Sequence, residues 1–455
     1  MLDVVLASDR ATAVAAPLAL ATLREQPEPA PAVLGSLLRV AVRPAARNDD
    51  ASDGPAAALA GLSDTERNTR LLEIVRTEAS AVLGRGARSA VDLDELFADL
   101  GAFLLRDLMR TTDARVNCLV RGADEAAALA RLPANLEWYR IWDHVDPEHL
   151  GVVVGDLSEP GLGLDPEEFD SLARSVDAVY HVGAAVNWVQ PYATLKATNV
   201  RGTEEILRMA ARHRTVPVHY VSTLGVYVGK DTGGVPLRTT DPTGPGDVLP
   251  TGCTQSKWVS EQIVDLARER GLPVSVYRID LIAGDSGTGA CQTRDFVWLS
   301  LKGLLQAGAV PGDIPVRFRL MPVDCSSSAV LHISRRAGSS GGTFHIAGST
   351  DLSLGTMIEE LRSAGYRLDD RTWDTWRGLL SADPENALVP LLDAFEVMAA
   401  SPDTFCPPID DRETAAALEG SGIVCPPATR ELFRKHIGFF TEQGYFEPPE
   451  DASAR

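Results

Sequence analysis

Five short, valine-rich runs alternate with helix-length amphipathic stretches between residues 114 and 279. This alternation constrains the fold more than any other feature of the chain. ARVNCLV (114–120), GVVVG (151–155), DAVYHVG (177–183), VPVHYVS (216–222) and PVSVYRI (273–279) are nearly continuous apolar runs, the pattern of strands buried on both faces of a parallel sheet. TEEILRMAARHR (203–214) and SKWVSEQIVDLARER (256–270) read as helices between them. Alternating strands and helices predict the α/β class, a Rossmann-like doubly wound parallel sheet. From 351 onward, proline-punctuated helical segments (MIEELRSAG, ALVPLLDAFEVMA, ATRELFRKHIGFFTEQG) predict a smaller, mostly helical lobe.

Upstream, residues 45–62 (AARNDDASDGPAAALAGL) have linker composition, and the apolar segment 1–44 is too short to bury a core alone. Ser63 with Glu66 forms a capping box that opens a helix carrying Leu71, Leu72, Val75, Ala79, Val82 and Leu83, with Gly84 as its stop. A short helix follows from Asp92 or Asp94 to Leu100, and AFLLRDLM forms an amphipathic helix after it. At 455 residues the chain has room for about three domains.

Charge and cysteine usage exclude several function classes. With 43 Lys+Arg against 63 Asp+Glu the net charge is −20, which repels phosphate backbones and argues against nucleic acid. The uncharged stretch from Ala178 to Leu195 holds His181, Asn187, Gln190 and Pro191, so it is no membrane span. MLDVVLASDR lacks a basic start and reads as no signal peptide. The scattered cysteines, at 118, 253, 291, 325, 406 and 425 and without a CxxC pair, argue against zinc or a disulfide scaffold and for the cytoplasm.

Candidate chemistry sits at the strand ends. CLVRG places Arg121 where an acid selects NAD and an arginine accepts the extra phosphate of NADP; a solvated strand-end arginine is the plain alternative. GDL (155–157) would flank an adenine, with Asp156 accepting from its amino group, though Gly-Asp is also ordinary turn chemistry. An ordered series follows: HVGAAVN (181–187), ATNVRGT (197–203), YVSTLGVYVG (220–229), TGCTQSKW (251–258) and YRIDLIAG (277–284).

This series resembles an extended short-chain dehydrogenase/reductase. More narrowly it resembles the thioester reductase domains that end polyketide and nonribosomal peptide assembly lines and carboxylic acid reductases. LGAFLLRDLM, CLVRG, GDL, LGL, HVGAAVNWVQPY, TNVRGT, VSTLGV, QSKW and MPVD carry the likeness over roughly residues 100–450. In that family a Ser/Thr, a Tyr and a Lys four residues beyond the Tyr reduce a carbonyl. The phenol delivers a proton as hydride arrives, its pKa lowered by the ammonium, while the hydroxyl orients the substrate. Thr223 matches the hydroxyl and Lys257 the lysine, but Cys253 stands where the family has Tyr. Two readings of Cys253 follow: a small helix-start residue with no role, or a thiol in the phenol's place, shorter in reach and a weaker donor. Tyr227, four residues after Thr223, reads as a packing residue.

The resemblance implies NADPH as cofactor, held by Gly101, Arg121, Arg131, Asp156, Leu157, His181, Gly183, Asn199 and Lys257, with Asn199 supporting the lysine through a water. The implied activity is release of an acyl chain from its carrier thioester as aldehyde or alcohol. The implied partners are an acyl carrier protein or acyl-phosphopantetheine thioester and polyketide synthase modules. Trp373, Trp376, Leu391 and Phe395 are candidate lining for the acyl chain.

One departure is large. The family opens with a strand and a TGxxGxxG turn that holds the pyrophosphate, whereas here only Leu100 and Gly101 of that turn precede AFLLRDLM, behind the acidic AVDLDELFAD. The segment 63–101 resembles the first part of a polyketide acyl carrier protein, and 1–44 resembles the tail of a modular ketoreductase. The organisation this implies is a ketoreductase remnant and linker (1–62), partial carrier helices (63–101), an NADP-binding reductase domain (102–350) and a helical substrate lobe (351–455). An in-frame deletion joining carrier to reductase would remove the pantetheine serine, the first strand and the phosphate loop together. The slot this leaves, between the strands at 114–120 and 177–183, would call for a substitute such as residues 2–8 or 12–20. A non-catalytic remnant and a sugar-nucleotide epimerase of the same superfamily are the alternative readings.

Overall fold

The computed structural model of the chain describes residues 99–312, 315–400 and 402–449. The expected linker, ketoreductase-like segment, carrier-like helices and candidate substitute strands lie outside the described residues.

In chain order the first half runs α1 (Asp99–Thr111), β1 (Val116–Val120), α2 (Glu125–Trp138), β2 (Leu150–Val154), α3 (Pro166–Ser175), β3 (Val179–His181), α4 (Tyr192–Lys196), α5 (Gly202–Ala210), β4 (Val218–Thr223), α6 (Gly252–Glu269) and β5 (Val274–Ile279). The second half continues with β6 (Leu281–Ala283), α7 (Phe296–Ala307), β7 (Ala309–Pro311), β8 (Arg317–Pro322), α8 (Val323–Arg335), β9 (Thr343–Ile346), β10 (Asp351–Ser353), α9 (Leu354–Ser363) and β11 (Asp369–Arg371). It closes with α10 (Trp373–Ala382), α11 (Leu392–Ala400), α12 (Pro402–Phe405), α13 (Arg412–Leu418) and α14 (Arg430–Glu442).

The helices start where side chains cap them. Asp165 and Glu168 form a capping box at α3, with Pro166 in its first turn. Thr251 accepts from Thr254 N at 3.2 Å to open α6. Gly308, at φ 58°, closes α7 in the left-handed conformation.

The main sheet is parallel, in the order β3-β4-β5-β9, and β1 pairs in parallel with β2 as a separate two-stranded ladder. Among the described residues no strand bridges β1 and β3, so within them the two-stranded ladder and the four-stranded sheet stay separate. The α/β class and parallel winding match the expectation. The short strands β6, β8 and β10 form a second sheet in the order β10-β8-β6, and β7 pairs with β11; the sequence reading contained neither. Among the described residues no helix is long and apolar enough to cross a membrane.

Two cysteines correct the sequence reading: Cys325 of α8 is bonded to Cys425 ahead of α14, their Cα atoms 5.5 Å apart. The pair is 100 residues apart in the chain, and α13, just ahead of Cys425, packs on α8 and β9. Trp376 and Phe395 are fully buried and pack with Trp373, the ring centroids 5.1–6.5 Å apart. Leu391 is buried as well. This group is core of the helical lobe.

The helix α1 is firmly docked. Leu100 to Leu105 of α1 are all buried, the Phe103 ring meets Tyr139 edge-on at 5.9 Å, and Ser327 Oγ of α8 donates to Asp107 Oδ2 at 2.6 Å. Replacing Phe103 by Ala removes a fully buried ring and is expected to cost ~3–5 kcal/mol. Urea unfolding at unchanged m-value would show it as a lowered midpoint; a loss below ~1 kcal/mol would mean that α1 is not part of the core.

Candidate active site at the ends of the parallel strands

The carboxyl ends of parallel strands are where an open α/β sheet presents ligand-binding residues. Thr223 is the last residue of β4, and its hydroxyl accepts from Gly225 N at 3.0 Å, capping the turn Leu224–Tyr227. Gly225 packs tightly on α6: a Cβ there would lie 3.0 Å from Thr254 Cγ2. That close approach brings the Thr223 turn onto the start of α6, which carries Cys253 and Lys257 one helical turn apart.

Lys257 is buried, its Nζ donates to Val221 O at 2.8 Å, and the ammonium sits 4.8 Å from the Tyr220 ring centre. Burial pulls the ammonium down from 10.5 to about 8, while Cys253 and Glu261 hold it up. The Cys253 thiol moves the other way: burial pushes it up, and Lys257 and the Asn187 backbone N–H draw it partly back. A neutral thiol beside a charged ammonium is thus the state the site favours.

Asn199 lies in a single π turn, Ala197–Arg201, between α4 and α5, a local break common at functional sites. Its side chain ties two elements together. Oδ1 accepts from Ala185 N at 2.7 Å, and Nδ2 donates to Ala185 O at 3.1 Å and to Ser256 Oγ at 2.8 Å. The link to Lys257 therefore runs through its chain neighbour Ser256. His181, at the end of β3, is buried with Nε2 2.9 Å from Thr203 Oγ1. The Thr203 hydroxyl donates to Asn199 O at 2.6 Å, so the network assigns the imidazole proton to Nε2. Burial holds His181 down to about 3, and it is neutral.

The remaining predicted cofactor contacts fall into two groups. Leu157 is clamped between glycines: a Cβ at Gly183 would stand 2.5 Å from Leu157 Cδ1, and one at Gly202 would stand 2.7 Å from Leu157 O. Asp156 accepts from Ser158 N and Oγ, both at 2.7 Å. Arg131 Nη1 donates to Arg121 O at 2.9 Å, which brings the two arginines together beyond β1. Gly101 lies buried in α1, two residues after Asp99; the residues that would precede it in a phosphate-binding turn lie outside the described residues.

The end of the site where a pyrophosphate would meet α1 holds a carboxyl group. Asp99 is 4% exposed; its Oδ1 accepts from Leu100 N at 2.9 Å, and its Oδ2 has no hydrogen-bond partner. Burial, with Asp295 nearby, raises Asp99 to about 7. Asp295 itself caps α7 through Val297 N at 3.1 Å and is raised to about 6 by burial. The residues present thus fit the nicotinamide-ribose half of a dinucleotide through Thr223, Asn199 and Lys257. Among the described residues the pyrophosphate half has Asp99 in place of a glycine turn. Sequence reasoning missed Ser256, Asn187, Ser222, Glu261 and Arg278, although Glu261 was visible as an acid four residues beyond Lys257.

The depressed Lys257 has a stability consequence. Below about pH 8 both folded and unfolded chains hold its proton, and the cost of the buried charge is present in full. Between about 8 and 10.5 the unfolded chain binds more protons, so this residue makes stability rise with pH across that window. Lys257→Met should therefore raise stability at pH 7 by roughly 1–3 kcal/mol and flatten that rise, read as urea midpoints at pH 7 and 9.5. A destabilised Lys257→Met protein would mean that the ammonium is not a buried cost.

Comparison with known proteins bears on the fold and the family. The NAD-binding family Male sterility protein matches residues 99–330, beginning at the first residue of α1. A linear gramicidin synthase of Brevibacillus parabrevis is 39% identical over 352 residues, which are 76% of this chain and 7% of that protein. Glycine betaine reductase ATRR of Emericella nidulans is 37% identical over 62% of this chain and 22% of its own length. The chain thus spans less than a quarter of either relative. The terminal R domain from the myxalamid PKS-NRPS biosynthetic pathway superposes with a TM-score of 0.69 at 35% identity, covering 83% of this chain and all of that domain. With a family match over half its length and the fold of a terminal R domain, this chain belongs to the Male sterility protein family of NAD-binding domains, as a reductase domain.

Proposed function

We propose that the chain is a thioester reductase that takes an acyl group from the phosphopantetheine arm of a carrier protein and releases it as an aldehyde, or as an alcohol after a second round. The observation that carries this reading is the joining of Thr223, Asn199 and Lys257 at the ends of β3 and β4 and the start of α6. A bound reduced nicotinamide would supply hydride to the thioester carbonyl carbon. Thr223 orients the carbonyl oxygen, and Lys257, with two ammonium hydrogens left after Val221 O, holds the nicotinamide ribose. The oxygen takes a proton to give a thiohemiacetal; the C–S bond then breaks, the pantetheine thiol leaves and the aldehyde forms. Cys253, kept protonated by burial, stands where that proton must come from.

Arg121 and Arg131, joined beyond β1, favour NADPH over NADH by meeting the 2′-phosphate. Asp156 and Leu157 would flank the adenine, with His181 and Gly183 along the nucleotide. A carrier protein as partner, and a cytoplasmic setting, belong to the same reading. A second reading, a reductase-like domain without turnover, is favoured by one observation: the buried Asp99 carboxyl where a pyrophosphate would approach α1.

Titration of the purified protein with NADPH and NADH by fluorescence, followed by turnover of acyl-pantetheine thioesters, separates the two. The reductase reading expects saturable, NADPH-preferring binding and aldehyde formation. Loss of turnover by at least ~100-fold is expected in Thr223→Val, and a gain in Cys253→Tyr. A folded protein with no saturable binding of either nucleotide would establish the second reading.

A further inference from the structure

Beneath Lys257 lies a buried polar cluster that the reaction above leaves unused. Glu261 follows Lys257 by one helical turn, so the two residues share a face of α6. It is 2% exposed. Its Oε1 accepts from Ser222 Oγ at 2.5 Å, and Arg278 Nη2 donates to Oε2 at 2.8 Å, with Nε 3.1 Å from both oxygens. Arg278 Nη1 donates in turn to Tyr227 Oη at 2.5 Å and to Thr239 O at 3.2 Å. The Tyr227 hydroxyl lies 3.3 Å from His345 Nε2, and His345 Nδ1 is 2.9 Å from Asp410 O. Ser222 immediately precedes Thr223, and Tyr227 ends the turn that Thr223 caps.

Burying such a pair gains little stability over apolar packing of equal volume, because desolvation offsets the attraction. Its position suits another task. The fork of Arg278 holds the carboxylate rigidly on one side, while Lys257 faces it from the preceding turn without a direct bond to it. The other groups around Lys257 are Cys253 on the same helix, the Tyr220 ring and Val221 carbonyl on β4, and neutral His181 on β3. Asp295 lies beyond Cys253, and Arg278 on β5 lies beyond Glu261. Of these, Glu261 is the anion paired in place on the helix of Lys257.

We propose that Glu261 is a positioning residue: it keeps Lys257 in its charged form and, through Ser222 and the Arg278–Tyr227 arm, fixes the end of β4 that presents Thr223. The inference rests on the reading of Lys257 as the nicotinamide-ribose ligand. A neutral amine would lose a donor and could no longer favour proton release from its neighbour.

The test is lysine NMR on the full chain. Lys196, Lys230, Lys257, Lys302 and Lys435 are its lysines, so 13Cε-lysine labelling gives a short spectrum in which Lys257→Met identifies the signal. In the parent protein that signal is expected to titrate near 8. Glu261→Gln should move the midpoint down by at least about half a unit, and Glu261→Asp should restore part of the shift. The double variant Glu261→Gln, Arg278→Gln leaves neither charge unpaired and serves where the single variant fails to fold; its midpoint should also fall. An unchanged midpoint in either folded variant overturns the proposal. Thioester turnover reads the other arm: in an active protein, Glu261→Gln should lower kcat and shift its pH profile with KM kept. A parent protein without turnover refutes the reductase reading alone, because the Lys257 midpoint still decides the role of Glu261.

Discussion

The six-residue parallel ladder between β4 and β5 sets the positions of the groups that matter. It runs in register from Val218 against Val274 to Thr223 against Ile279, which puts Ser222 opposite Arg278. Strand side chains alternate between faces, so Ser222 and Arg278 both turn toward α6 and meet Glu261 there. Thr223 turns the other way and is left at the strand end for a substrate. A slip of one residue in this ladder would exchange those faces and move the hydroxyl, the ion pair and the lysine out of one another's reach. The ladder's specificity comes from burial on both sides: every residue of β5 is buried.

Next to this well-determined half stands an unusual one. Among the described residues no strand joins β1 to β3, where the order of a doubly wound sheet would place one. The chain nonetheless keeps α1 docked, with Phe103 and its neighbours in the main core. Asp99, the first described residue of α1, accepts from Leu100 N through its own carboxyl. Its rise to about 7 shows how poorly the pocket solvates a charge that a pyrophosphate would carry twice over.

What could be read in the sequence follows the length and burial of each element. Five of the six parallel strands described in the α/β layer were legible to within about two residues because their apolar runs are continuous, and periodicity reports that directly; β9, the four-residue Thr343–Ile346 beside β5, was not read. The small sheet of β6, β8 and β10 was not, since its three-residue strands Leu281–Ala283 and Asp351–Ser353 are too short to show a period. Thr223, Cys253, Lys257 and Asn199 are candidates read from their order along the chain; in the fold Lys257 bonds Val221 O, two residues before Thr223, and Asn199 bonds Ser256 beside Lys257. The bond between Cys325 and Cys425, and the packing of Trp373 with Trp376 and Phe395, depend on contacts that no local pattern encodes.

Cys253 and Lys257 illustrate why such a site is sensitive to one substitution. Burial opposes the charged form of both, raising the thiol and lowering the ammonium, while each charge would ease the other. With the thiol raised by burial and the ammonium still charged below about 8, the pair rests as neutral thiol beside ammonium. A phenol at this position would extend several ångströms further and place its proton in the path of the developing alkoxide. A thiol can donate only to an oxygen that comes down to the floor of the site, beside the Asn187 N–H that already faces the sulfur. The depth to which a carbonyl can descend between Thr223 and Asn187 thus decides whether the proton transfer is made by Cys253 or left to water.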